Sequence, residues 1–155
     1  MRNQPESSSP PHEHHIGPLE RTVDEVESFH GHIGPFVTLG LRMGSAAMKD
    51  LGAEAYFGVH VTAICPPKTP QSCLLDGLQL STGATLGKQN IKLVPGEGIR
   101  VEITDKNTGR RLVLEPTEDL LAQLEAWSSQ GIPVPERARE LSKWSDEDLF
   151  VCLKE

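Results

Sequence analysis

The segment from Phe29 to Gly52, FHGHIGPFVTLGLRMGSAAMKDLG, encodes a sharp corner followed by a long helix. Gly31 and Gly34 permit backbone angles that other residues resist, and Pro35 suits the first turn of a helix. Apolar residues then recur at helical spacing on one side: Leu39, Met43, Ala46 and Ala47. Small residues on this helix would let a neighbouring element approach closely: Gly40, Gly44 and Ser45. We therefore predict a helix over 35–51 that ends at Gly52.

The flanking segments carry their own local signals. Upstream, TVDEVESF (22–29) has apolar residues at a three-residue repeat and predicts a short amphipathic helix. Downstream, YFGVHVTAIC (56–65) is rich in β-branched residues and predicts a strand. The prolines of PPKTP (66–70) force an irregular connection, and a helix is expected over 71–80, with Ser72 as its N-cap.

The second half of the chain alternates less regularly. Strands are predicted at 91–94, 99–104 and 110–115, helices at 117–131 and 135–143, and a last strand at 150–153. This order differs from the strict alternation of a doubly wound parallel fold. We predict one α+β domain over residues 21–155, with a mixed or largely antiparallel sheet packed with helices, preceded by a disordered arm over residues 1–20 that is rich in Pro, Ser and Glu.

Composition excludes several classes of function. A net charge of −7 with scattered basic residues argues against nucleic-acid binding. No apolar run approaches the roughly 20 residues that cross a bilayer, and the N-terminus lacks a secretory pattern, so no membrane role is expected. The cysteines, Cys65, Cys73 and Cys152, are odd in number and indicate reduced thiols in a cytoplasmic protein.

Four side chains have the chemistry of a metal site. His30 and His32 flank Gly31 at the corner, and Cys73 and Asp76 are three residues apart, on one face of the predicted helix. Each also has a commoner structural explanation. The histidines could be exposed or capping residues, Cys73 a small buried thiol and Asp76 a surface carboxylate. Together they predict one polar site, formed by the corner and the segment 73–88.

The glycine-rich loop from Gly83 to Lys88 is unlike a nucleotide-binding loop. Three residues separate Gly83 from Gly87 where that motif needs four, and Gln89 follows the lysine instead of Ser or Thr. Anion binding by Lys88 and the loop amides stays open as an alternative.

Two distant motifs together resemble the FmdE family, named for one of the subunits of formylmethanofuran dehydrogenase. They are FHGHIGP (29–35), with Gly40 and Met43 downstream, and CLLDGLQ with TGATLGK, from Cys73 to Lys88. The resemblance implies an α+β domain that holds a divalent metal, commonly zinc, and that forms a homodimer. It also implies a link to a molybdenum or tungsten oxidoreductase, whose own catalysis belongs to other subunits.

The resemblance extends to individual residues. It implies metal ligation by His30, His32 and Cys73, and places seven further residues in the ligand-binding surroundings: Asp76, Gln79, Thr82, Gly83, Thr85, Gly87 and Lys88. Many relatives carry cysteine where this chain has Gly34 and Ala84, so one or two thiolates are missing here. The C-terminal zinc ribbon of longer relatives is not expected here, because Cys152 has no further cysteines near it to form the pairs that such a ribbon needs.

Three functions follow as expectations. The first is a metal-binding domain accessory to one-carbon (formylmethanofuran-type) or molybdopterin-enzyme metabolism. The second is a metal-free binding or assembly module that holds an organic anion or pterin-like ligand through Lys88, Thr82 and the glycine amides. The third is a small zinc-dependent enzyme, in which Asp76 or Thr85 orients a zinc-bound water.

Overall fold

The computed structural model describes residues 15–154, which form a five-stranded sheet and six α-helices. The helices are α1 (Val23–His30), α2 (Pro35–Leu51), α3 (Leu74–Thr82), α4 (Glu118–Ser129), α5 (Val134–Ser142) and α6 (Asp146–Leu149). The strands are β1 (Val59–Cys65), β2 (Ile91–Pro95), β3 (Arg100–Asp105), β4 (Arg111–Pro116) and β5 (Phe150–Lys154). Every predicted helix and strand has its counterpart, with α6 added.

The strand order in the sheet is β2-β1-β3-β4-β5. β1 and β2 are parallel and joined through α3, whereas the other neighbouring strands are antiparallel. A hairpin joins β3 to β4: Gly109, at φ +78°, donates its amide to the Asp105 carbonyl. The α+β prediction with a mixed sheet is confirmed.

One face of the sheet packs against α2 and α3, and this contact holds the main core. Along β1 the residues Val59, Val61, Ala63 and Cys65 are buried, in alternation with more exposed neighbours such as His60. α2 and α3 approach so closely that a Cβ on Gly40 would overlap the Leu74 carbonyl oxygen, and one on Gly77 would overlap the Val37 carbonyl oxygen. The expected close approach at Gly40 is therefore confirmed.

The start of α3 differs from the prediction. A single 3-10 turn, Gln71–Cys73, comes first, and the helix proper begins at Leu74 without a side-chain cap. Ser72 is therefore not its N-cap. The turn itself provides the explanation, because Cys73 already has helical backbone angles and donates its amide to the Pro70 carbonyl.

Part of the segment predicted to be a disordered arm is ordered. Residues 15–20 belong to the fold: Ile16 bridges to Glu54, the Leu19 amide donates to the Ser81 carbonyl, and the Leu19 side chain is buried. The rest of the predicted arm, residues 1–14, lies outside the described residues. Between residues 15 and 154, no helix combines the length and apolar character that crossing a membrane requires.

Candidate functional site

The corner predicted at His30-Gly31-His32 is formed where α1 ends. The helix starts with a capping box in which Thr22 and Glu25 satisfy each other's backbone amides, and it ends at Gly31, whose φ of +101° reverses the chain. The reversal brings the rings of His30 and His32 to 4.8 Å between centroids. The two imidazoles therefore converge as the sequence predicts.

Asp76 on α3 binds the first of these imidazoles. Its Oδ2 lies 2.6 Å from Nδ1 of His30, and the side chain of His30 is 8% exposed. A carboxylate only accepts, so Nδ1 carries the proton and, in a neutral ring, Nε2 is left as a bare acceptor. That Nε2 atom is buried and has no hydrogen-bond partner within residues 15–154.

His30, His32 and Cys73 line one small cavity of about 140 Å³. The half-buried Cys73 comes from the turn before α3, and His32 lies on the exposed side. Burial raises the pKa of the Cys73 thiol above its ordinary value, and the nearby Asp76 carboxylate raises it further. The remaining walls are largely apolar and include Phe36 and Val134.

The donor set suits zinc, since two imidazoles and a thiol are among its usual ligands, and the unpartnered Nε2 supplies one ready position. The Asp76 contact is also typical, because metal-bound histidines commonly give their other ring N–H to a carboxylate. However, no three His, Cys, Asp or Glu side chains within residues 15–154 are already arranged to hold a metal. The chemistry fits, while binding requires His32 or Cys73 to adjust its side chain.

The loop residues expected in the same site line a different cavity. Gln79, Gly83, Thr85 and Lys88 face an open space of about 490 Å³ that shares no lining residue with the histidine cavity. The single polar site predicted from sequence is therefore two sites. The physical reason is that Cys73 begins the α3 region and Gly83 ends it, so the two residues lie at opposite ends of one helix.

The polar groups of this loop hold the loop itself. The buried Thr82 hydroxyl donates to the Leu78 carbonyl and accepts from the Ala84 amide, and the Gly83 amide donates to the Gln79 carbonyl. The Thr82 hydroxyl therefore already has its hydrogen-bond partners within the end of α3 and the loop.

Lys88 is similarly engaged. Its Nζ donates to the Gly83 carbonyl, 2.9 Å away, and to Thr85 Oγ1, and it lies 5.6 Å from the centre of the Tyr56 ring. Gly87 lines neither cavity. Thr85 faces the second cavity, so it cannot orient a water at His30.

Sequence reasoning missed several residues beside the histidine cavity. Arg137 and Val134 on α5 line it, as does Phe36 on α2. In sequence, Arg137 is indistinguishable from a solvated helix residue, since nothing local marks the contact between α5 and α2.

A family model described as "FmdE, Molybdenum formylmethanofuran dehydrogenase operon" matches residues 29–151, most of the chain. The chain belongs to the FmdE family. The match begins at the Phe29 corner and includes α3, its following loop and the whole sheet up to the start of β5.

Two individual proteins add to the family match. A crystal structure of an FmdE-like protein of the tungsten formylmethanofuran dehydrogenase type, from Syntrophus aciditrophicus, superimposes with a TM-score of 0.63, at 24% identity, covering 86% of this chain and 69% of that one. It supports the fold. A probable S-adenosyl-L-methionine-binding protein of Archaeoglobus fulgidus is 43% identical over 77 residues, which cover 47% of this chain and 20% of the relative. The chain thus spans about a fifth of that protein.

Gly34 and Ala84, the positions at which the resemblance to the family implies missing thiolates, differ in their surroundings. A Cβ on Gly34 would lie 3.4 Å from His32 Nε2, at the wall of the histidine cavity. Ala84, in contrast, is fully buried in the main core and lines neither cavity. Of the two positions, only Gly34 borders the cavity that His30, His32 and Cys73 line.

Proposed function

We propose that this FmdE domain binds one divalent metal ion, zinc being the expected one, through His30, His32 and Cys73. The observation that carries the proposal is the buried Nε2 of His30, which has no hydrogen-bond partner among the described residues although Asp76 fixes the opposite ring nitrogen. A buried polar atom without a partner costs about 1–3 kcal/mol. A metal ion would give that lone pair its partner.

The other two proposed ligands, His32 and Cys73, line the same cavity as His30. The Cys73 thiol would supply the negatively charged ligand, and binding would displace its proton. Three protein ligands leave one position of a tetrahedral zinc open, which is the arrangement of ligand-binding and catalytic sites. When bound, the metal would supply Lewis acidity, while Asp76 keeps the His30 ring in the orientation and tautomer that coordination needs.

The test is elemental analysis of the protein purified without an affinity tag. We expect about one zinc per chain, lost in His32→Ala and Cys73→Ser. His60→Ala is the matched control, because His60 is exposed on β1 away from both cavities. Absence of stoichiometric metal in the wild type, or equal metal content in His32→Ala, contradicts the proposal.

The metal-free alternative has weaker support. It relies on Lys88, Thr82 and the amide of Gly83, and each of these already has its partner within the loop. An anion would have to displace those contacts. Phosphate binding that is lost in Lys88→Met, without any metal in the protein, would favour this alternative over the metal site.

We also propose that the domain is a homodimer with an accessory role in one-carbon or molybdopterin-enzyme metabolism. Family membership supports the role. Two exposed aromatic side chains near Lys88, Phe29 (52% exposed) and Phe57 (66%), support a surface for contact with a second copy of the chain.

Light scattering after size exclusion should give twice the chain mass, and Phe57→Glu should give the monomer. Val151→Glu, at an exposed apolar residue of β5, is the control; a monomeric wild type contradicts the dimer.

The accessory role has a separate test. An affinity purification with the full chain as bait should recover subunits of a molybdenum or tungsten oxidoreductase. Recovery of none, from cells that express such an enzyme, contradicts the role and leaves the metal proposal untouched.

A further inference from the structure

A third space, called the cleft below, adjoins the cavity lined by His30, His32 and Cys73. It has a volume of about 510 Å³. The two spaces share four lining residues: Pro35, Phe36, Pro70 and Arg137. The cleft lies between the start of α2, the connection before α3, the turn between β2 and β3, and the outer side of α4. Its size is that of a site for a small organic molecule.

Gln71 presents an unused acceptor at this cleft. The residue lines the cleft from the 3-10 turn before α3, and its Oε1 is buried without a hydrogen-bond partner within residues 15–154. An acceptor in this state gains from a ligand that brings an N–H donor.

The charged groups of the cleft favour the same kind of ligand. Its lining holds two carboxylates, Glu97 and Glu125, and one guanidinium, Arg137. Arg137 donates its Nε to the Ile132 carbonyl at 2.7 Å, whereas neither carboxylate has an ion pair or hydrogen bond to another described side chain. The cleft therefore offers more acceptor groups, from Glu97, Glu125 and Gln71, than positively charged groups.

The other walls are apolar. Phe36, Ile99, Leu121 and Leu124 line the cleft, and Leu121 is 44% exposed. Such walls favour a flat hydrophobic body over a hydrated inorganic ion.

We propose that this cleft binds a flat organic cation whose N–H groups face Gln71, Glu97 and Glu125. An amidinium on an aromatic ring meets all three requirements: donors in a planar fork, positive charge and an apolar body. The far end of a longer ligand would reach the histidine cavity through the four shared residues. The cleft and its ligand do not depend on the metal.

Three matched fragments test the proposal on the full-length, zinc-free protein by two-dimensional amide NMR. They are benzamidine (a cation), benzamide (neutral) and benzoate (an anion). Benzamidine should bind with a dissociation constant of about 1 mM, the value expected for so small a ligand, and should shift the signals of Gln71, Ile99 and Leu124. Benzamide should bind less tightly and benzoate least. Benzoate binding as tightly as benzamidine, or shifts confined to the Lys88 cavity, overturns the proposal.

Variants separate this site from general attraction to an acidic protein. Glu125→Gln and Gln71→Leu should each weaken benzamidine binding by about 3- to 10-fold. Glu118→Gln removes the same charge from the same helix α4 outside the cleft, and it should change binding less than twofold. Equal losses in Glu118→Gln and Glu125→Gln, or unchanged binding in both cleft variants, overturn the proposal. Repeating the titration with zinc shows whether the two sites interact, and the cleft result stands whichever way the metal test falls.

Discussion

At the scale of single residues, the orientation of the His30 side chain is fixed more completely than that of His32 or Cys73. Asp76 binds its Nδ1 at 2.6 Å, and its Nε2 is buried without a hydrogen-bond partner among residues 15–154. His32 is more exposed and Cys73 keeps a proton at neutral pH, because its pKa is raised. His30 is therefore the preorganised member of the proposed ligand set.

Asp76→Asn should lower zinc affinity by about 10- to 100-fold, because the ring loses the carboxylate that orients it and strengthens its basicity. The change also removes the smaller of the two causes that raise the pKa of Cys73, which favours binding. Burial, the larger cause, remains, so we expect a net loss. Competition with a zinc indicator measures it, with the exposed Glu27→Gln on α1 as control. An affinity that is unchanged or increased contradicts the orienting role of Asp76.

Gly34→Cys should raise zinc affinity by at least 10-fold, because it adds a thiol beside His32 Nε2 at the cavity wall. The backbone permits the change, since φ at Gly34 is −133°, and the side chain of Val134, whose Cγ1 would lie 3.2 Å from the new Cβ, has to shift slightly. Ala84→Cys is the matched control, placed in the core away from both cavities. If both variants raise affinity equally, added thiol content rather than position is responsible.

At the scale of elements, the crossing of α2 and α3 positions the site. Glycines on both helices, Gly40 and Gly77, allow backbone to approach backbone. This contact holds α3, and with it Cys73 and Asp76, at a fixed distance from the corner that begins α2. The placement of the proposed metal ligand Cys73, and of Asp76, thus depends on residues that carry no chemistry of their own.

Gly40→Ala should lower the free energy of unfolding by about 2 kcal/mol, although alanine is the better helix former by roughly 1 kcal/mol. The added methyl group meets the Leu74 carbonyl, which cannot move without displacing α3. Urea unfolding followed by circular dichroism measures the change. Lys49→Ala, exposed on the same helix, should change stability by less than about 0.5 kcal/mol. If Gly40→Ala were more stable than the wild type, α2 and α3 would be shown to move apart at little cost.

At the scale of the whole molecule, α2 joins the corner, the sheet and the C-terminal helices. Arg42 makes the last of these connections: it donates to Asp146 at 2.7 Å and to the carbonyls of Ser142 and Trp144. Since α5 carries Arg137 and Val134 into the cavities, this connection also bears on the site.

Arg42→Ala should destabilise the protein by about 2 kcal/mol, because it removes hydrogen bonds from a charged donor to two carbonyls that lie at the end of α5. Amide hydrogen exchange should accelerate first in α5 and α6. Arg139→Ala, an exposed arginine on α5, is the control. Uniform acceleration throughout the chain would show that Arg42 supports the global fold and not this contact.

Much of the fold was predictable from local signals. The corner was predictable from the backbone angles that Gly31, Gly34 and Pro35 permit. The helix α2 and the strands were predictable from the spacing of apolar residues. Both signals depend only on near neighbours in the chain. The two motifs also identified the FmdE family, which the family model confirms. The contact of Asp76 with His30 spans 46 positions, and it depends on how α3 packs beside α1. The division into two cavities, and the cleft between α2, α4 and α5, likewise depend on packing between distant elements. A sequence pattern records which side chains share a helix face, but the direction that face takes is determined only when the helices and the sheet bury their apolar surfaces together.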